Sequence, residues 1–127
     1  MYEQGGVFSK FAVGLFLAFA FFQSAQVYAH AYPVLEAAVP APGAVLQEAP
    51  ESVCIRFNNL IQRNLSRLIV TDGQGESFQT GELEYREENT VCIPLRPLEP
   101  STYHIHWIVV GRDGHRTEGD YEFIFLR

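Results

Sequence analysis

After residue 50 the chain contains several short segments with a strand-like pattern. In some of them hydrophobic and polar residues alternate, and in others the hydrophobic residues form a short run. Valine, isoleucine, phenylalanine, tyrosine and tryptophan take most of the apolar positions. The segments concerned are 53–57, 68–70, 91–95, 103–110 and 121–125. Such patterns are typical of strands that bury one face. Since no window carries apolar residues at a sustained 3.6-residue spacing, a long helix is not expected.

Turn-forming residues separate these segments. The run Asp72-Gly73-Gln74-Gly75 is a strong turn signal. The prolines lie mostly between the segments, and Pro94, the exception, predicts a sheet edge or a strand end. About seven short strands therefore predict an all-β fold, a small β-sandwich of the immunoglobulin-like kind. A closed β-barrel of similar size is the alternative.

The N-terminal end has a different pattern. Residues 11–22 are all apolar and follow Lys10 directly, but they are fewer than the about 20 residues that span a bilayer. The segment Val27-Tyr28-Ala29 has the residue sizes expected before a signal-peptide cut. We therefore predict a secretory signal peptide at 1–29, cleaved after Ala29, and an exported domain at 30–127. An uncleaved N-terminal anchor is the alternative.

Charge and composition narrow the possible partners. The chain has 9 Lys plus Arg against 15 Asp plus Glu, a formal net charge of −6. Nucleic-acid binding needs clustered basic residues, so this balance disfavours it. The single methionine, Met1, and the single lysine, Lys10, both lie in the predicted signal peptide. The exported domain would therefore contain neither residue.

Two cysteines, Cys54 and Cys92, each follow an apolar residue of an alternating segment. If those apolar residues point inward, both thiols face outward on the same side of the sandwich. A disulfide is then possible where the two strands are neighbours, and export favours it. Free thiols or a functional thiol pair are the alternatives, although the CxxC spacing of redox and metal sites is absent.

The chain has four histidines, and two of them, His104 and His106, occupy alternate positions in one predicted strand. Such a pair lies on one face of a strand. The simplest interpretation is two half-exposed surface residues. A metal-binding pair is the alternative, but no nearby residue in the sequence adds a carboxylate or a third donor.

A third histidine belongs to the tripeptide Asp113-Gly114-His115, directly after an apolar segment. Glycine permits a tight bend, so the aspartate and the histidine can reach one point. The tripeptide alone is a weak signal, because it also suits an ordinary hairpin turn.

The fourth histidine, His30, would become the N-terminal residue after the predicted cleavage. Its α-amino nitrogen and its imidazole can then chelate one metal ion, and the amine loses its proton readily near neutral pH. Together with Asp113 and His115 this gives three nitrogen donors and one oxygen donor. That set suits tetragonal Cu(II), although Zn²⁺ can use the same ligands. A frayed N-terminal histidine with no role is the alternative.

Several short segments, in order and spacing, resemble the CopC family of periplasmic copper-binding proteins. They include His30-Ala31, 40–43, 49–57, 70–75 and 103–107. The most specific is Val109-Val110-Gly111-Arg112-Asp113-Gly114-His115, followed by Glu118-Gly119 and the segment 121–125. The resemblance extends over essentially all of residues 30–127.

This resemblance implies a Greek-key sandwich or barrel of immunoglobulin-like or cupredoxin-like type that binds one Cu(II) per chain without catalysis. The family's ligands correspond here to His30, Asp113 and His115. A CopD-type inner-membrane copper transporter is the implied partner. Some members bind Cu(I) through a methionine-rich loop, and residues 30–127 contain no methionine. Because Cu(I) selects thioether ligands, we expect a site for Cu(II) only.

Some residues depart from the family pattern. The family usually has arginine and serine where this chain has Ile108 and Gly111, so contacts around the metal ligands can differ. The cysteine pair is also not a general family feature.

Two other functions fit parts of the pattern. A histidine-brace copper monooxygenase also uses an N-terminal histidine, but it usually lacks the carboxylate ligand that Asp113 would supply. A non-metal immunoglobulin-like adhesion or assembly domain fits the strand pattern, because a fold does not determine a function.

Overall fold

The computed structural model describes residues 33–127, so the predicted signal peptide and His30 lie outside the described residues. This part of the chain has eight strands and no helix, hence none that could cross a membrane. The strands are β1 (Leu35–Val39), β2 (Val45–Leu46), β3 (Ser52–Phe57), β4 (Arg67–Thr71), β5 (Glu84–Arg86), β6 (Thr90–Pro94), β7 (Ser101–Val110) and β8 (Arg116–Phe125).

The strands form two separate four-stranded sheets. One has the order β1-β3-β6-β5 and the other β2-β8-β7-β4. All pairs are antiparallel except β2 with β8. Because the inner faces of the two sheets share one hydrophobic core, the fold is a β-sandwich. The prediction of an all-β sandwich is confirmed.

The core is built from alternate residues of the longer strands, as the sequence pattern predicts. On β7, Tyr103, Ile105, Trp107 and Val109 are buried, while the residues between them are partly exposed. Aromatic rings join the two sheets at the centre, where the rings of Phe57 and Trp107 meet edge to face at 5.0 Å. Such pairs add to the free energy gained from burial alone.

The sequence pattern did not predict β1 and β5, because their residues carry little hydrophobic alternation. β1 carries alanine and glutamate, which have low strand propensity, and β5 is only three residues long. Both lie at sheet edges, where one neighbouring strand supplies the hydrogen bonds. Pro94 is the last residue of β6, which confirms the prediction of a strand end there.

A buried tyrosine supports the loop that crosses from the first sheet to the second. The Tyr103 hydroxyl donates to the carbonyl oxygen of Glu99 at 2.6 Å and accepts from the Glu99 amide at 3.1 Å. Burial raises the pKa of this hydroxyl, so it stays protonated as a donor. The hydroxyl therefore connects the core to the backbone a few residues upstream, as in the tyrosine corner of immunoglobulin-like sandwiches.

Cys54 and Cys92 form a disulfide across β3 and β6, which are adjacent strands. The two residues are direct partners in the strand register, with their Cα atoms 4.0 Å apart. They occupy the positions between the inward residues of each strand, as the alternation predicts. Cys92 is nevertheless only 2% exposed, because β6 lies between β3 and β5.

The contact between Gly119 and Trp107 gives a test of the packing. A Cβ atom at Gly119 would lie 2.5 Å from Cζ2 of the buried Trp107 ring. We expect Gly119→Ala to lower the free energy of unfolding by about 1–3 kcal/mol, the usual cost of overpacking. Trp107 is the only tryptophan, so urea denaturation followed by its fluorescence measures the change. The matched control is Gly73→Ala, where an added Cβ meets nothing within 4 Å.

The disulfide gives a second test of stability. It joins residues separated by 38 positions, and the chain-entropy model assigns such a loop an upper value of about 4 kcal/mol. We expect Cys54→Ala/Cys92→Ala to lose a substantial part of that amount in urea denaturation. Adding a thiol reductant should destabilise the original protein but not the double variant. Equal effects on both would show that reduction does not act through this bond.

Candidate metal centre

The hairpin of β7 and β8 ends in a tight turn that contains Asp113 and His115. The amide of Gly111 donates to the carbonyl oxygen of His115 at 2.8 Å, and the amide of Gly114 donates to that of Gly111 at 2.9 Å. Gly114 has φ +91°, a backbone conformation that side chains with a Cβ rarely adopt. The turn therefore depends on glycine at this position.

The turn brings the Asp113 and His115 side chains into contact. Oδ1 of Asp113 accepts from the His115 amide at 3.1 Å, and Oδ2 lies 2.9 Å from Nδ1 of the His115 ring. The ring hydrogen bond, followed by the backbone one, lowers the pKa of Asp113. An exposed, ionised carboxylate and an imidazole thus lie side by side at the tip of the hairpin.

A neighbouring loop supports the turn from one side. The side-chain Nε2 of Gln62 donates to the carbonyl oxygen of Gly111 at 2.9 Å. The backbone amide of Gln62 donates to the carbonyl oxygen of Val110 at 2.8 Å. Arg112 forms an ion pair with Glu88 at 2.7 Å. Because these partners are distant in sequence, no local pattern indicated them.

The N-terminal end of the described chain is held against the same turn. Pro33 is fully buried, and its ring approaches Gly111 so closely that a Cβ there would lie 3.0 Å from it. Its carbonyl oxygen accepts from the Thr117 hydroxyl at 2.8 Å. The next residue, Val34, exchanges two hydrogen bonds of 2.9 Å with Asn58. The chain therefore enters the sandwich at the base of the turn.

His104 and His106 lie on the outer face of β7 and have a partner that the sequence did not indicate. Nε2 of His104 and Nδ1 of His106 each lie 2.8 Å from the same atom, Oδ1 of Asp120 on β8. No residue near this pair in the sequence is its carboxylate partner; the strand pairing supplies one from 14 and 16 residues away.

The predicted ligands are thus only partly described by the structure. The side chains of Asp113 and His115 are in contact, whereas His30 lies outside the described residues. Within residues 33–127, no three histidine, cysteine, aspartate or glutamate side chains are arranged around a point that a metal ion could take. The turn alone offers one oxygen and one nitrogen donor.

Comparison with known proteins shows the family. The family model described as CopC domain matches residues 35–125. Protein YobA of Escherichia coli (strain K12) is 31% identical over 101 residues, which cover 77% of this chain and 80% of that protein. Copper resistance protein C of Xanthomonas campestris pv. juglandis is 26% identical over 124 residues, 91% and 95% of the two chains.

The fold agrees with a solved structure of the same family. The crystal structure of CopC from Methylosinus trichosporium OB3b superposes with a TM-score of 0.69 at 22% identity, covering 74% of this chain and 93% of that one. The chain therefore belongs to the CopC family of copper resistance and copper transport proteins.

Proposed function

We propose that this protein is a periplasmic Cu(II) carrier or buffer that works in copper uptake or resistance. In this proposal the signal peptide is removed after Ala29, and His30 becomes the N-terminal residue. One Cu(II) ion is bound by His30 through its amine and imidazole, together with Asp113 and His115. A CopD-type membrane protein is the proposed recipient or source of the ion.

The observation that carries the proposal is the position of Pro33. Its buried ring lies against Gly111 and its carbonyl oxygen accepts from Thr117. The described chain therefore begins at the base of the turn. Three positions separate Pro33 from His30, a span of about 10 Å when extended. A segment of this length suits the proposed binding of one ion by His30 together with Asp113 and His115.

The donor chemistry favours Cu(II). An amine, two imidazoles and a carboxylate form a mixed nitrogen and oxygen set, which suits tetragonal Cu(II), and copper leads the Irving–Williams order. The lowered pKa of Asp113 keeps its carboxylate ionised and ready to bind a cation at neutral pH. Thioether ligands for Cu(I) are absent from residues 30–127.

Such a site captures an ion and releases it without turning over a substrate. The sandwich and the Gln62 contacts hold the turn in place, and the chain before Pro33 supplies the remaining donors. Release then requires only that the bonds from the ion to its ligands break. We therefore propose a carrier and not an enzyme, because a carboxylate ligand favours the higher oxidation state and opposes the redox cycling of a monooxygenase.

The direct test is electron paramagnetic resonance of the protein that begins at His30, titrated with Cu²⁺. We expect the first equivalent of Cu²⁺ to give a type 2 signal with nitrogen couplings, and the signal of this first-filled site to be lost in Asp113→Asn/His115→Gln. A form that retains Ala29 ahead of His30 should bind Cu(II) more weakly by orders of magnitude, since the amine is no longer on the residue that carries the imidazole.

Two results would contradict the proposal. Equal affinity in the form with Ala29 would disprove the amine chelate, and absence of bound Cu(II) from the processed protein would disprove the site. Sustained hydrogen peroxide production by the copper-loaded protein with ascorbate would instead support a monooxygenase.

The support of the N-terminal segment can be tested with Thr117→Val, which removes the hydroxyl that donates to Pro33 and keeps the side-chain shape. A hydrogen bond of this kind contributes about 1 kcal/mol, so we expect Cu(II) affinity to fall by up to about fivefold. Competition with a copper chelator measures it. Thr102→Val, at the opposite end of β7, is the matched control and should leave the affinity unchanged. Equal losses in both variants would disprove the role of this contact.

A further inference from the structure

A group of histidine and carboxylate side chains lies on the outer face of the β7–β8 hairpin, away from the turn. We call it the imidazole–carboxylate ladder. It consists of His104 and His106 on β7 and Glu118, Asp120 and Glu122 on β8. In the strand register His104 faces Glu122 and His106 faces Asp120. All five side chains are partly exposed, so they are accessible to an ion from solution.

The ladder converges on a single atom. Nε2 of His104 and Nδ1 of His106 both lie 2.8 Å from Oδ1 of Asp120. Since an ionised carboxylate can only accept, both rings donate their N–H to this oxygen. These hydrogen bonds, from His106 first and then His104, lower the pKa of Asp120. Both rings are therefore directed at one carboxylate oxygen, and this closed arrangement leaves no point for a metal ion until the carboxylate moves.

The far nitrogen of each ring also faces a carboxylate. Nδ1 of His104 lies 3.7 Å from Oε2 of Glu122, and Nε2 of His106 lies 3.5 Å from Oε2 of Glu118. A metal-bound histidine usually donates its second N–H to a carboxylate, which fixes the tautomer and strengthens the ligand. The ladder thus has a carboxylate beside the far nitrogen of each ring, the position that such an outer partner takes.

We propose that the ladder is a second divalent metal site, in which His104 Nε2, His106 Nδ1 and the Asp120 carboxylate bind Cu²⁺ or, in its absence, Zn²⁺. Glu118 and Glu122 then accept the second N–H of each ring. The proposal does not depend on cleavage after Ala29 or on His30. Imidazole and carboxylate ligands suit both ions, and Cu²⁺ binds the more tightly of the two.

The rearrangement that binding requires is small. In the ladder as it stands, Oδ1 of Asp120 occupies the point where the metal would lie. Metal–nitrogen bonds are about 2.0–2.1 Å long, so each ring nitrogen approaches that point by about 0.7 Å relative to its 2.8 Å hydrogen bond. The Asp120 carboxylate turns aside and becomes a ligand. Each ring moves its proton to the nitrogen that faces Glu118 or Glu122.

The experiment is a Cu²⁺ titration by calorimetry of the purified protein and three variants. Asp113→Asn/His115→Gln removes the turn site, so binding that remains reports the ladder. We expect this variant to retain one bound Cu²⁺ ion per chain. When His104→Gln/His106→Gln is added to it, we expect the remaining Cu²⁺ binding to be abolished. In the turn variant, Asp120→Asn should weaken the remaining binding by at least about tenfold. Glu36→Gln, which removes a similar exposed carboxylate from β1, is the matched control. In the turn variant it should leave the remaining Cu²⁺ binding unchanged.

A measurement on the unaltered protein removes any dependence on the folding of variants. Zn²⁺ is diamagnetic, so ring nitrogen resonances of His104 and His106 can be followed by nuclear magnetic resonance during a Zn²⁺ titration. We expect both to shift together and to saturate. If they do not respond, or if the turn variant binds no Cu²⁺, the ladder is only a set of surface ion pairs. Neither result would affect the site at the turn.

Discussion

The register between β7 and β8 is the constraint on which the rest of the structure depends. Ten residue pairs hold the two strands together, and side chains alternate between the two faces of the sheet. One register therefore places Ile105 and Trp107 in the core and His104 and His106 on the outside. A slip of one residue would exchange these sets and bury the imidazoles. Because core burial selects the register, it also positions every polar group on the hairpin.

The turn at the end of this hairpin is held by partners from distant parts of the chain. Gln62 donates to the carbonyl oxygen of Gly111, and Pro33 packs on that glycine from another side. Consequently the first described residues and the Asp113–His115 pair occupy fixed positions relative to one another. Packing of the sandwich thus holds Asp113 and His115 beside the point where the described chain enters the fold.

Strong local patterns allowed most of the fold to be predicted. The alternation around Val53, Val91 and Tyr103 gave β3, β6 and β7, because a half-buried strand needs apolar residues at every second position. β1 and β5 were missed, since alanine, glutamate and arginine carry little of this signal and the neighbouring strands stabilise them. The cysteines could be paired only on the condition that their strands are adjacent, and adjacency is a property of topology.

The sequence by itself determined the all-β class, the resemblance to the CopC family and the neighbouring donors Asp113 and His115, because each depends on residues close together in the chain. Only the tertiary structure decided that Cys54 and Cys92 are direct partners, that Pro33 lies at the turn, and that Asp120 joins the two histidines of β7. These contacts depend on which strands pair and in which register. Burial of the whole core selects that arrangement, and no local segment encodes it.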